Sequence, residues 1–270
     1  MSSFLDTERG QAARHWIALR TGRRVHYTFT RFVRSPAQLD ALCGPVLDHV
    51  LGSTRTGTIR IVVLGCSIGA EPYTISSTLL HRCPGLSATI DAYDVLDSVL
   101  DRAREGRYTA REVLGSVDAD AAFVAGTFER EGDSYRVRPE ISRRVTFARA
   151  DVLDRNLAAH IGTADIVFAQ NLLMNLSRTK ARRAFTNIAA LLRPRAALFI
   201  DGMDLDLRGR CTERAQLIPL DYRVLEIHEE ARSIRGGRYP EDYSGLPPYR
   251  PGPDATRRFC TIFLSGSGSR

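Results

Sequence analysis

Lysine is almost missing from this sequence: of 38 basic residues only Lys180 is a lysine, and the other 37 are arginines. So one-sided a choice reads as genome composition rather than as selection for phosphate contacts. The arginines are dispersed, with pairs at Arg23-Arg24, Arg143-Arg144, Arg182-Arg183 and Arg257-Arg258 but no block of five like charges. A formal charge of +7 spread in this way gives no reason to expect a nucleic-acid partner. Cysteine is scarce too. The five residues (Cys43, Cys66, Cys83, Cys211 and Cys260) form no CxxC pair, and their odd number argues against a disulfide framework. The six histidines show no HxxxH spacing, so no metal site is expected. No run of 18 apolar residues occurs, which excludes a membrane-spanning helix. The opening MSSFLDTERG lacks the basic-then-apolar pattern of a secretory leader. A cytoplasmic protein with reduced thiols is the expectation. The lone tryptophan, Trp16, says nothing about ligand or oligomeric state.

What is present is ordinary for a folded chain of 270 residues: 43% hydrophobic and 26% charged. Short β-branched runs alternate with helix-like segments. TIRIVVL at 58–64 reads as a buried strand ending at Gly65, and a helix carrying Pro72 in its first turn follows. SATIDAYD at 87–94 is a second strand, followed by a helix around Val99–Arg104. VTFARAD at 145–151, ADIVFAQN at 164–171 and AALFIDGMD at 196–204 continue the pattern, with a long amphipathic helix at 178–192. Strands alternating with helices in this way predict an open parallel α/β sheet. DYRVLEIH at 221–228 and RRFCTIFLS at 257–265 read as two further strands without a helix between them, an antiparallel pair closing one sheet edge. The whole is the plan of a Rossmann-like class I methyltransferase: a mostly parallel seven-stranded sheet with an antiparallel C-terminal pair. Residues 1–50 are expected to form a short helical cap, 51–265 the main domain and 266–270 a disordered tail.

Ligands of open α/β sheets bind beyond the carboxyl ends of the strands, where the strand order reverses. Gly65-Cys66-Ser67-Ile68-Gly69-Ala70-Glu71-Pro72-Tyr73 follows the first strand. Its two glycines, Gly65 and Gly69, permit a tight turn and close approach of a ligand to the backbone. The pattern is not GxGxxG, so a pyrophosphate cradle is not indicated. Asp94 ends the second strand, 25 residues after Gly69, where a carboxylate can accept both hydroxyls of a ribose. A helix N-cap is the plain alternative for it. Asp151 ends the third strand, where it can meet an adenine amino group or cap the next helix, and Asn171 ends the fourth, where a substrate-facing or methionine-binding residue would lie.

These motifs resemble those of the CheR-type methyltransferases, which act on glutamates of chemotaxis receptors. That family's GxSTGEEPYS is similar to GCSIGAEPYT at 65–74, and its ribose motif to Ala92-Tyr93-Asp94-Val95-Leu96 with Ala103-Arg104-Glu105-Gly106-Arg107-Tyr108 downstream. Its FFRDP is similar to Phe32-Val33-Arg34-Ser35-Pro36, and its IFCRNVxxYF to the run from Ile166 to Leu176. The resemblance covers about residues 28–204 and implies an S-adenosylmethionine site. It gives Thr30, Arg34, Gly65, Ser67, Gly69, Glu71, Asp94, Val95, Asp151, Val152, Asn171 and Leu172 to the cofactor. In detail, Glu71 would hold the amino group, Asp94 the ribose, Asp151 and Val152 the adenine, and Asn171 and Leu172 the region of the sulfonium. Arg34 would also face the acceptor. Asn175, which stands where the family has a tyrosine beside the methyl group, joins Arg34 as the catalytic pair.

The acceptor side departs from the pattern. Gln170 replaces the family's arginine, Arg193-Pro194-Arg195-Ala196 its KPGG, and Asp201-Gly202-Met203-Asp204 its GHSE. Only some 27 residues precede the Thr28 segment, where the family carries a receptor-docking helical domain. The expected activity is methyl transfer from S-adenosylmethionine to a small-molecule carboxylate or other oxygen or nitrogen acceptor in specialised metabolism. Transfer or cyclisation of the aminocarboxypropyl arm, releasing methylthioadenosine, is a second expectation, and an inactive binding partner a third. Were a base required, Asp201, Asp204 or His26 would be nearest. The Pro-rich stretch 236–254, with Tyr239, Tyr243 and Tyr249, is the candidate substrate lid.

Overall fold

The structure is a computed structural model, and it describes residues 30–52, 58–116, 118–235 and 246–267. Along the chain come α1 (Pro36–Ala41) and α2 (Leu47–Leu51), joined by a π-turn segment over Leu42–Val46. Next are β1 (Thr58–Leu64), α3 (Ala70–Arg82), β2 (Ser87–Asp94) and α4 (Asp97–Glu105). Three short strands follow, β3 (Arg107–Thr109), β4 (Phe128–Glu131) and β5 (Ser134–Val137), then β6 (Val145–Arg149) and β7 (Ala164–Gln170). The remainder runs α5 (Arg178–Ala189), β8 (Leu192–Asp201), α6 (Leu205–Arg214), β9 (Ile218–Pro219), α7 (Val224–Arg235), α8 (Ala255–Phe259) and β10 (Ile262–Leu264).

One sheet of seven strands, in the order β6-β2-β1-β7-β8-β10-β9, organises the molecule. The first five in that order are parallel, whereas β10 runs antiparallel to both its neighbours. Central strands buried on both faces need continuous apolar runs, and β1 supplies Ile61, Val62 and Val63 with no exposed surface. Phe168 of β7 stacks on Phe199 of β8 with ring centroids 4.2 Å apart. Strand order reverses between β1 and β7, so the crevice for ligands opens where those two strands end.

Three expectations about the fold need correction. The segment 221–228 is not a strand. Its apolar residues Tyr222, Val224, Leu225 and Ile227 keep no two-residue period, and Val224, Ile227 and His228 are buried together on one face of α7. The stretch read as a strand over 257–265 begins as α8, and only Ile262–Leu264 pair as β10. The antiparallel strands at the sheet edge exist nonetheless, with Ile218–Pro219 as outermost partner, but two helices, α7 and α8, separate that strand from β10 where none was expected.

A second sheet, β3-β5-β4, is inserted between α4 and β6. Gly132 and Asp133 between FERE and SYRV are its sequence signal: a two-residue hairpin turn needs a positive φ, and Gly132 takes +60°. Of the tail, Gly266 is still tied to the sheet, its carbonyl accepting from the Arg195 N–H at 3.0 Å. Residues 1–29, with most of the expected cap and His26, lie outside the described residues, as do Tyr239 and Tyr243. Tyr249 is described and its ring, tilted 45° to that of Phe259 with centroids 4.8 Å apart, packs against the body of the fold. Among the described residues no helix is long and apolar enough to cross a membrane.

Candidate active site

The turn after β1 is held by the neighbouring strand. The N–H groups of Gly65 and Cys66 both donate to the Tyr93 carbonyl, at 2.8 and 3.0 Å. Ser67 is then forced to a φ of +50°, and its N–H points at Asp94 Oδ2, 2.9 Å away. The other carboxylate oxygen, Oδ1, accepts from Val95 N at 2.7 Å and Leu96 N at 3.2 Å. Asp94 therefore does not cap the following helix, whose N-cap is Leu96 without a side-chain bond, but orders the turn before it and joins the ends of β1 and β2. Three backbone donors fix its orientation, and a carboxylate has about four lone-pair positions, so acceptor capacity remains.

Gly69 begins α3 at a φ of +92°, and a Cβ there would meet Ala103, Tyr108 and Tyr73 side-chain atoms, each at 3.1 Å. The downstream Ala-Arg-x-Gly-x-Tyr run acquires a physical reason from this contact. Ala103 supplies a small surface, Gly106 turns the chain at φ +60°, and the buried Tyr108 hydroxyl donates to the Ile68 carbonyl. Gly65 is similarly crowded, since a Cβ would lie 3.0 Å from Leu172 Cδ1.

Glu71 sits in the first turn of α3, partly buried. Burial pushes its carboxyl up to about 7, against the opposing pull of the Arg34 guanidinium. Arg34 comes from the segment ahead of α1, which is pinned by Phe32 N to Ser116 Oγ at 3.1 Å and Val33 N to Thr74 Oγ1 at 3.2 Å. The Phe32 ring anchors it further, edge-on to Tyr108 and Phe128. Two open recesses meet at Arg34. The first, about 320 Å³, includes Glu71, Thr74, Gln38, Phe168 and Gln170 in its lining. The second, about 270 Å³, includes Gln170, Asn171, Asp201, Ile227 and Ala231.

Asn171 turns the chain off β7 at φ +51°, its N–H on the Asp201 carbonyl at 3.0 Å. Asn175 does not line either recess; its amide donates to the Asn171 carbonyl at 3.2 Å and braces that turn. Asp151 Oδ1 accepts from Leu153 N at 2.9 Å, and Val152 beside it is buried. Thr30, partly buried at the start of the described chain, lines neither recess.

Sequence reasoning missed the hydrogen-bonded chain behind the recesses: Gln170 Nε2 donates to Gln38 Oε1 at 2.6 Å, and Gln38 Nε2 to Thr261 Oγ1 at 2.7 Å. It also missed α7, which contributes Ile227 and Ala231 as a wall and whose Glu230 accepts from Ser35 Oγ and from Ala37 N. No sequence signal connects residues so far apart. Asp204, a candidate base, caps α6 through Leu207 N at 2.7 Å and lies exposed beside Arg178.

Residues 28–215 match the family described as CheR methyltransferase, SAM binding domain. Probable biofilm formation methyltransferase WspC of Pseudomonas aeruginosa is 30% identical over 211 residues, covering 76% of this chain and 48% of that protein. Chemotaxis protein methyltransferase 2 of Vibrio cholerae is 30% identical over 175 residues, 63% of this chain and 60% of that one. The chemotaxis protein methyltransferase of Escherichia coli is 31% identical over 178 residues, again 63% and 60%. The chain thus spans between about half and six-tenths of the length of these relatives.

Proposed function

Since the chain belongs to the CheR methyltransferase family, we propose that it transfers the methyl group of S-adenosylmethionine, and that the acceptor is a small molecule received beside Arg34. The observation that carries the first part is Asp94, an acid at the end of β2 held by the Ser67, Val95 and Leu96 N–H groups with capacity left for a ribose. The turn from Gly65 to Gly69, bent by positive φ at Gly65, Ser67 and Gly69, fits a nucleoside lying along its backbone. Glu71 would hold the ammonium of the methionine moiety, Asp151 and Val152 would meet the adenine, and Asn171 with Leu172 would flank the sulfur. Bound there, S-adenosylmethionine supplies an activated methyl group on a sulfonium.

Methyl transfer of this kind is an in-line displacement, so the protein's task is alignment and exclusion of water. Arg34 offers a fork of donors to orient an oxygen-bearing acceptor. Ile227 and Ala231 of α7 close the acceptor recess with apolar surface. A protein acceptor is the second reading, favoured by the names of the Vibrio and Escherichia relatives.

The test is a thermal-unfolding scan with S-adenosylhomocysteine on the wild type and on Asp94→Asn. Ligand at a hundredfold excess over Kd stabilises the native state by about 2.7 kcal/mol. The wild type is expected to show that rise, and Asp94→Asn to lose most of it, because an amide presents a donor where the ribose needs an acceptor. No shift at millimolar ligand overturns the reading. Transfer of tritiated methyl to a low-molecular-mass extract, rather than to its protein fraction, selects the small-molecule acceptor.

A further inference from the structure

α5 carries Arg178, Lys180, Arg182 and Arg183 and no acid in its 12 residues. α6, packed beside it, adds Arg210 and Arg214. Arg178 and Arg182 stand one helical turn apart on α5, and Arg210 and Arg214 one turn apart on α6, so each pair shares a face. The two faces meet. The charges of all four arginines bear on a single thiol, that of Cys211, which is 6% exposed. All four arginines are themselves exposed.

The acids of the chain do not match these cations. Elsewhere on the surface Arg102 pairs with Glu112, Arg149 with Asp97 and Arg193 with Asp165. Beside α5 and α6, Asp204 is spent on Arg178 and Asp206 on Arg258. Among the described residues Arg182, Arg210 and Arg214 form no ion pair, and Glu213 is the one acid of the two helices left to set against them. Like charges gathered in this way destabilise the empty surface, and an anion laid across them removes that cost.

Guanidinium forks take carboxylates and phosphates alike. Two features of this face favour carboxylates. Its exposed positions carry no aromatic ring, the platform on which the bases of a single strand stack; Phe185, the aromatic residue of α5, is buried. Glu213 also stands in the row of Arg210 and Arg214, where a continuous run of phosphates meets like charge and a polypeptide can place a neutral residue. Both helices start at the ligand end of the sheet, after the parallel strands β7 and β8, so the upper end of this face borders the recess at Asn171.

We propose that the α5–α6 face is a docking surface for an acidic segment of a partner protein, whose carboxylates pair with Arg182, Arg210 and Arg214. The inference stands apart from the methyltransferase reading, because it uses none of the groups assigned to cofactor or acceptor.

The experiment follows the fluorescence anisotropy of a labelled deca-glutamate peptide with the full chain at low ionic strength, beside a labelled deca-thymidylate strand of similar charge. The expected result is peptide binding that weakens as salt rises and falls about tenfold or more in Arg182→Glu/Arg214→Glu. Arg111→Glu/Arg143→Glu changes the net charge equally at exposed arginines ahead of β4 and β6, likewise outside any ion pair of the described residues, and should bind as the wild type does. Thermal unfolding of each variant shows that it is folded, and Arg182→Gln/Arg214→Gln serves the same comparison should charge reversal unfold the chain. Equal weakening in the two charge-reversed variants overturns the inference, since net charge alone then carries the binding. No peptide binding by the wild type at millimolar peptide also overturns it. So does a deca-thymidylate affinity equal to or above that of the peptide and lost with Arg182 and Arg214, which gives the face to nucleic acid instead.

Discussion

Glu71 and Asp94 are both acids at the mouth of the sheet, yet their surroundings give them different behaviour. Asp94 rests on three backbone N–H groups, whereas Glu71 lies where burial prevails over Arg34 and lifts its carboxyl from 4.5 to about 7. An acid raised in the fold keeps its proton to higher pH than in the unfolded chain. Between about pH 4.5 and 7 the native state therefore holds more protons, and the empty protein loses stability as pH rises through that window. A ligand ammonium favours the ionised form, so binding runs the other way. The Kd for S-adenosylhomocysteine is expected to fall by up to about tenfold per pH unit from pH 5 to 7 and then level off. Calorimetric titration of Glu71→Gln should show that slope flattened; a slope equal to the wild type's would mean that another group carries it. Asp94 was legible in the sequence because its meaning is positional, an acid ending the strand after a glycine turn. Asp201 was visible only as one of three possible bases. Its burial and its pairing with Arg208 depend on how α6 packs beneath β8.

At the scale of elements, α7 shows how local pattern misleads. The short apolar run over 221–228 reads as a strand, but the positions that bury, 224, 227 and 228, follow the helical period, and tertiary contact decides between the two. The helix matters to the site through Glu230, which accepts from the Ser35 hydroxyl and the Ala37 N–H at the start of α1. Ser35 itself caps α1 by accepting from Gln38 N at 3.3 Å. Ser35→Ala is expected to cost about 1–2 kcal/mol in urea unfolding, combining the lost cap with a partly buried Glu230 left short of a donor. Glu230→Gln, which keeps one carbonyl oxygen for the Ala37 N–H and can turn its amide N–H toward the Ser35 hydroxyl, should cost less than half as much. Equal losses would show that the charge of Glu230, and not its acceptor geometry, holds α7 over the recess. The small β3-β5-β4 sheet was missed although Gly132-Asp133 marks its turn, because strands of three and four residues carry too little periodicity to stand out.

Over the whole molecule, β10 is the strand on which the two ends of the fold depend. It lies antiparallel between β8 and β9, with Phe263 fully buried, and Thr261 just ahead of it anchors the Gln38–Gln170 chain that reaches the recesses. Phe263→Ala is expected to lower stability by about 3–5 kcal/mol in denaturant unfolding, and the thermal shift with S-adenosylhomocysteine should survive in whatever fraction remains folded. A loss below 1 kcal/mol would show that β10 is dispensable to the sheet. The parallel core and the glycine turn with its facing acid were legible in the sequence alone, because buried central strands demand unbroken apolar runs and the turn and the acid stand at fixed offsets from them. The acceptor side was decided only by tertiary structure. Arg34, Gln170, Asp201 and Ile227 come from four separated segments, and no local spacing records that the chain brings them around one recess.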